Sequence, residues 1–222
     1  MLKLPVTIGG VNPVSTYEIP GGIIKRPCNG EEEPALTWGD VTADGKGVAL
    51  ISDAKYSYDC TGNTLRLTML RNSIFADHYS HRPDADFSYC DEGIHRFEYA
   101  VYPHSGDAEN SEVQKLALQL NSKLVAIPVG YHKGEMPRVN SFISISKPNI
   151  RLDAFKFCED GSGDIVMRLR EVDGKAVKTA IVCDIADAGF YADFNKFEIK
   201  TFRVDAEGYV TETDFLEGTV KY

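Results

Sequence analysis

Apolar and polar residues alternate with period two through much of the chain. Residues 64–71 (TLRLTMLR) set Leu65, Leu67 and Met69 on one face, and residues 95–102 (HRFEYAVY) set His95, Phe97, Tyr99 and Val101 on one face. Residues 164–170 do the same with Ile165, Met167 and Leu169, and residues 177–183 with Val177, Thr179, Ile181 and Cys183; residues 197–204 (FEIKTFRV) are a further candidate. This is the pattern of antiparallel strands with one buried and one wet face. Turn chemistry punctuates it: Thr61-Gly62-Asn63, Asp160-Gly161-Ser162-Gly163, Asp173-Gly174 and Glu207-Gly208. Asp173-Gly174 joins two alternating runs and predicts a hairpin. The expected fold is mainly β, an antiparallel β-sandwich.

One stretch departs from period two. In residues 108–121 (AENSEVQKLALQLN), Val113, Leu116, Ala117 and Leu120 fall at helical spacing. Asp107 is placed to cap a helix there, and Glu109 and Glu112 suit its positive end. The pattern is interrupted again at Gly130, Gly134 and Pro137. This divides the chain into residues 1–135, with the helix near 108–121, and a small β domain at 138–218.

Composition narrows the function classes. The chain has 222 residues and a formal charge of −9, from 24 basic and 33 acidic side chains. That balance argues against a nucleic-acid partner and against anionic membrane surfaces. No apolar run approaches the ~20 residues of a membrane helix. Residues 1–10 lack a signal peptide's apolar segment, so a soluble, cytoplasmic protein is expected. Five cysteines (Cys28, Cys60, Cys90, Cys158, Cys183) are an odd set without C-x-x-C spacing, which reads as reduced thiols.

Candidate chemistry is sparse. Asp77-His78-Tyr79-Ser80-His81 is a D-H-x-x-H cluster, with Asp84, Asp86 or Asp91 as possible third metal ligands. Pro83 and its polar neighbours read instead as a surface loop. His95 lies on the apolar side of its run and reads as a core histidine; His104 follows Pro103 at a strand end. Trp38, Tyr56, Tyr58, Tyr79 and Tyr89 could stack on sugar rings or fill a core. The Glu31-Glu32-Glu33 run reads as a solvated loop. No nucleophile elbow, P-loop or dinucleotide fingerprint is present in the sequence.

Longer stretches carry more. Residues 22–27 (GIIKRP), 31–38 (EEEPALTW), 47–59 (GVALISDAKYSYD), 62–67 (GNTLRL), 70–71, 91–100 (DEGIHRFEYA) and 103–107 (PHSGD) follow one another in order. Residues 141–145 (SFISI), 149–154 (NIRLDA), 157–161 (FCEDG), 168–171 (RLRE), 197–202 (FEIKTF) and 213–217 (TDFLE) continue the series. In order and spacing they resemble the C-terminal β region of the α-mannosidases of glycoside hydrolase family 38, the cytosolic and bacterial branch above all. The resemblance departs at Ala108, where many relatives carry an aromatic residue.

The resemblance implies the end of a large galactose-mutarotase-like supersandwich with one short helix, followed by a small second β-sandwich domain. It implies a C-terminal fragment of an enzyme that hydrolyses terminal α-mannosides with retention, structural rather than catalytic by itself. Its partners would be the missing N-terminal catalytic domain and helical bundle, with the α-mannoside as the parent's substrate. No cofactor is expected in this fragment; zinc belongs to the missing domain. No catalytic and no metal-binding residue is therefore assigned here. The loop at residues 72–93 is the candidate contribution to the pocket rim, with Arg71, Asp77, His78, Tyr79, His81 and Asp91 as possible sugar contacts. Two other readings compete: a freestanding carbohydrate-binding β-sandwich, and a metal enzyme built on His78, His81 and His95.

Overall fold

The computed structural model describes residues 1–74 and 89–218. The chain forms two compact units, Met1–Leu124 and Val125–Tyr222. The first contains β1 (Leu2–Thr7), β2 (Val14–Ile19), β3 (Gly22–Arg26), β4 (Asn29–Pro34), β5 (Trp38–Ala43), β6 (Lys46–Ser52), β7 (Ser57–Thr61), β8 (Thr64–Leu70), β9 (Tyr99–Ser105) and the helix α1 (Val113–Asn121). The strands form a four-stranded sheet, β1-β8-β7-β4, and a five-stranded sheet, β3-β2-β5-β6-β9.

Alternation explains how these sheets pack. Tyr17, Val41, Val48 and Leu50 of the five-stranded sheet meet Tyr58, Cys60, Leu65 and Leu67 of the four-stranded sheet in one core. Burying a Leu such as Leu65 contributes roughly 1.5–3 kcal/mol. On the other face of the five-stranded sheet, Trp38, Ala49 and Ile51 are covered by Ala108 and by Val113 and Ala117 of α1.

The second unit contains β10 (Ile143–Ile145), β11 (Ile150–Phe157), β12 (Ile165–Glu171), β13 (Val177–Cys183), β14 (Ala188–Phe194), β15 (Ile199–Val204) and β16 (Val210–Thr213). The sheet β10-β13-β14 and the sheet β11-β12-β15-β16 share a core. Ile181, Cys183 and Phe194 come from the first; Met167, Leu169, Phe202 and Val204 come from the second. The mainly antiparallel β fold with one α-helix is thus as the sequence pattern predicts.

Four local expectations need correction. Asp173-Gly174 is not a hairpin: β12 pairs with β11 and β15, whereas β13 pairs with β10 and β14. The turn instead carries the chain from one sheet to the other, because the Glu171 carboxylate captures the Asp173 and Gly174 N–H groups, both at 2.9 Å. The Glu31-Glu32-Glu33 run is no solvated loop but lies in β4. Its partners come from elsewhere: Glu33 pairs with Arg26, and Glu32 accepts from Thr68. His95 is exposed and precedes β9, with Nε2 2.6 Å from the Asp91 carbonyl. The helical stretch is divided: residues Ala108–Asn110 form a 3-10 turn, and the Ser111 hydroxyl accepts from Val113 N (3.2 Å) at the start of α1. Asp107 makes no side-chain cap.

Candidate functional site

The first unit presents a polar cleft of about 530 Å3 beside the four-stranded sheet. Its wall includes Glu32 and Glu33 from β4, Tyr56 and Ser57 at the start of β7, Thr68 from β8, and Arg71 just beyond it. Asp91 completes the rim. Strand pleating puts Glu32, Ser57 and Thr68 on the face opposite the core residues Tyr58 and Leu67. The register from β4 through β7 to β8 aligns Glu32 with Asp59 and Asp59 with Arg66.

A ladder of charge stiffens this face. Asp59 is fully buried, and accepts from Lys3 Nζ and from Arg66 Nε, each at 2.5 Å. Lys3 also approaches Glu32 at 3.8 Å, as does Arg71. The Thr68 hydroxyl, then Ser57 and the Lys3 charge, hold the Glu32 carboxyl below the ordinary carboxylate range against the opposing effect of burial. Glu32 is therefore an ionised acceptor at neutral pH. Its cationic neighbour Arg71 remains 65% exposed and presents donors to the cleft. Tyr56, 59% exposed, offers a flat apolar ring beside these polar groups.

The structure thus brings Arg71 and Asp91 to one cleft. Asp77, His78, Tyr79 and His81 lie outside the described residues, as do Asp84 and Asp86. The ends of the 72–93 loop are held together by an antiparallel bridge between Ile74 and Tyr89 and by Cys90 N donating to Ser73 O at 2.8 Å. Trp38 and Tyr58 are fully buried core residues, whereas Tyr89 is exposed. The sequence names Tyr56 as a possible stacking ring but does not join it to Arg71 and Asp91, and it presents Glu32 and Glu33 only as part of a solvated acidic run.

Among the described residues no three His, Cys, Asp or Glu side chains converge as a metal site. The histidines are turned to other partners. His95 Nε2 contacts the Asp91 carbonyl, and His104 Nε2 donates to Asp40 Oδ2 at 2.7 Å. The described residues do not fit a zinc ion, and no step through one is derived from them.

The Asp40–His104 pair sits on the α1-facing side of the five-stranded sheet. Asp40 also accepts from Thr42 Oγ1 at 2.7 Å. The His104 side chain is 2% exposed, and its ring stacks on Tyr102 with centroids 5.4 Å apart. The hydrogen bond to Asp40 raises the His104 pKa; burial opposes it, while the Asp40 charge and the Ser105 and Gly106 carbonyls add to the rise. This closed pair is a structural clasp rather than a reacting centre. Because the folded pKa is raised, the clasp's contribution is complete below the unfolded value of about 6.5 and is lost as pH rises through the folded one. The urea midpoint followed by Trp38 fluorescence should accordingly fall between about pH 6 and about pH 9, and His104→Gln should flatten that fall. An unchanged slope in the variant would place the titration elsewhere.

Two antiparallel sandwich-forming units, with one α-helix among the described residues and a polar cleft beside the first unit's four-stranded sheet, define a β-sandwich region. Comparison with known proteins gives its family. Residues 1–79 match the glycosyl hydrolases family 38 C-terminal domain. The chain is 28% identical over 221 residues to alpha-mannosidase G of Dictyostelium discoideum, covering 85% of this chain and 19% of that protein. It is 30% identical over 194 residues to human alpha-mannosidase 2C1, covering 78% of this chain and 17% of that protein. An alpha-mannosidase structure from Enterococcus faecalis V583 superposes with a TM-score of 0.75 at 16% identity, over 90% of this chain and 25% of that one. The chain belongs to glycosyl hydrolase family 38, as its C-terminal β region. It spans less than a fifth of the length of the two curated relatives.

Proposed function

We propose that this chain serves as the C-terminal β region of an α-mannosidase that hydrolyses terminal α-mannosides with retention, with the acid–base chemistry and the zinc carried by an N-terminal catalytic domain and followed there by a helical bundle. The observation that carries the reading is the match of residues 1–79 to the family 38 C-terminal domain, within a chain similar over most of its length to proteins named alpha-mannosidase. A second observation supports it. Residues 122–142 contain no helix or strand, and the apolar side chains of Leu124, Val125, Ile127, Val129, Tyr131 and Val139 are each at least 70% exposed. A soluble chain rarely leaves so many contiguous apolar groups in water, and more of the same polypeptide would cover them. The odd set of free thiols supports a reducing, cytoplasmic setting.

In this reading the β region buttresses the catalytic domain, and the cleft at Arg71 and Asp91 lies at the pocket rim. Arg71 would donate to sugar hydroxyls, Asp91 and Glu33 would accept, and Tyr56 would stack on a ring face. The purified 222-residue chain is expected to show no turnover of an aryl α-mannoside. The same sequence joined to its upstream catalytic domain is expected to turn the substrate over. Turnover by the chain alone would overturn the reading. In the longer enzyme, Arg71→Ala should raise KM roughly 3–10-fold with kcat little changed, the mark of a binding contact remote from the reacting bond.

The freestanding sugar-binding module is the second reading, favoured by the exposed Tyr56 ring in a charged cleft. Calorimetric heats with mannose oligosaccharides at millimolar concentration, abolished by Tyr56→Ala, would support it; flat heats would remove it.

A further inference from the structure

Two cysteines of the first unit are neighbours in space. Cys28 immediately precedes β4 and Cys60 lies in β7, the strand beside it. The Cys28 carbonyl accepts from Gly62 N at 3.1 Å, and the Cys60 thiol approaches the Gly62 carbonyl at 3.4 Å. The Cys28 thiol donates to the Pro13 carbonyl at 3.6 Å, and Cys28 packs against the core cluster that holds Cys60. Among the described residues no other two cysteines share a core cluster. Cys60 is 1% exposed, whereas Cys28 is only partly buried, so an oxidant from solvent meets Cys28 first.

We propose that Cys28 and Cys60 form a peroxide-reactive dithiol that closes reversibly to an intramolecular disulfide. The Cys28 sulfur attacks one peroxide oxygen: an S–O bond forms, the O–O bond breaks, and the departing oxygen leaves as water with the thiol proton. The Cys60 sulfur then attacks the sulfenic sulfur of Cys28. The S–S bond forms, the S–O bond breaks, and a second water carries away the Cys60 proton. Two thiols lose two electrons in all, and one hydroperoxide is reduced.

The order of events follows from the surroundings. Burial pushes the Cys60 thiol well above its ordinary range, with further contributions from Cys28 and Asp59. Cys60 therefore stays protonated and slow towards a solvent oxidant, and acts as the resolving thiol. Cys28 lies just outside the strand, so drawing the sulfurs to bonding distance moves a strand end rather than the ladder. The register of β4 on β7 is already irregular between Asn29 and Glu32. Once formed, the bridge would tie to β7 the edge strand that carries Glu32 and Glu33 of the cleft.

The test is oxidation of the unaltered chain with a slight excess of hydrogen peroxide, then non-reducing digestion and mass spectrometry. The expected result is a mass loss of about 2 Da and a linked peptide pair containing Cys28 and Cys60. Under denaturing conditions three of the five thiols should remain titratable. Tm should rise by roughly 5–10 °C and return on reduction with dithiothreitol. Cys28→Ser should abolish the mass loss. Retention of five thiols, a sulfinic Cys28 beside a free Cys60, or a bridge to Cys90, Cys158 or Cys183 would overturn the proposal. The mapping needs no variant, so poor folding of Cys28→Ser leaves the answer intact.

Discussion

Replacing Glu171 by Ala is expected to cost about 4 kcal/mol of stability. Glu171 ends β12 and is completely buried. Its Oε1 accepts from Asn149 Nδ2 at 3.0 Å and from Asp173 N at 2.9 Å; its Oε2 accepts from Gly174 N and Phe197 N, both at 2.9 Å. Three backbone donors and one amide thus converge on a single carboxylate. Hydrogen bonds to a charged group contribute about 1.5–3 kcal/mol each, and a buried donor left without an acceptor costs about 1–3 kcal/mol. Even with partial relaxation, Ala leaves several such donors unpaired. Gln should recover only part of the loss, since its amide nitrogen would face two N–H groups where Glu171 places an oxygen.

The same carboxylate holds two left-handed turns, one at a glycine that takes positive φ readily and one at a phenylalanine that rarely does. Gly174 has φ 72° and Phe197 has φ 56°, and a Cβ at Gly174 would stand 2.7 Å from the Phe197 ring. Urea unfolding followed by far-ultraviolet circular dichroism measures the loss. Trp38 fluorescence, which reports the first unit, shows whether the loss is local to the second. A Glu171→Ala midpoint within error of wild type would mean that water replaces the carboxylate at no cost.

Glu171 also shows where sequence reading succeeds and where it stops. The alternation of Ile165, Met167 and Leu169 is local, and it correctly puts Met167 and Leu169 in a core. Leu65 and Leu67, and Thr179, Ile181 and Cys183, were legible for the same reason. What followed Glu171 was not. Asp173-Gly174 has hairpin chemistry, yet the outcome was set by a carboxylate whose other partners, Asn149 and Phe197, are far along the chain. Like-charged Glu31-Glu32-Glu33 misled in the same way, since Arg26, Thr68 and Lys3 compensate two of the three from other strands. His95 was misplaced because apolar alternation began before the ladder did: β9 starts at Tyr99.

The cleft was less legible than the fold. Arg71 and Asp91 were named from the sequence, but their meeting with Glu33 and Tyr56 depends on strand order β8-β7-β4. Strand order is a non-local property, and no periodicity encodes it. Family resemblance supplied the functional class where local chemistry could not, because the described residues assemble no metal set.

Gly47→Ala is expected to destabilise the first unit by about 3 kcal/mol and to remove its loss of stability at high pH. Gly47 lies on β6 in register with His104 of β9, so their side chains project from the same face. A Cβ at Gly47 would meet His104 Cε1 at 2.3 Å and Nε2 at 2.5 Å. The ring has little room to yield: it is nearly buried, stacked on Tyr102, and bonded to an Asp40 side chain with no exposure. Moving it breaks the Nε2–Oδ2 bond and leaves Asp40 with Thr42 as its remaining side-chain donor. A buried carboxylate that loses a cationic partner is costly, which places the effect above ordinary overpacking. Gly134→Ala is the control, since nothing lies within 4 Å of its Cβ position; its effect should stay within about 0.5 kcal/mol. The pH dependence separates a lost clasp from a general packing defect. Steric strain alone would lower the Gly47→Ala midpoint equally at every pH, whereas loss of the Asp40–His104 bond narrows the difference from wild type as pH rises and His104 deprotonates in both.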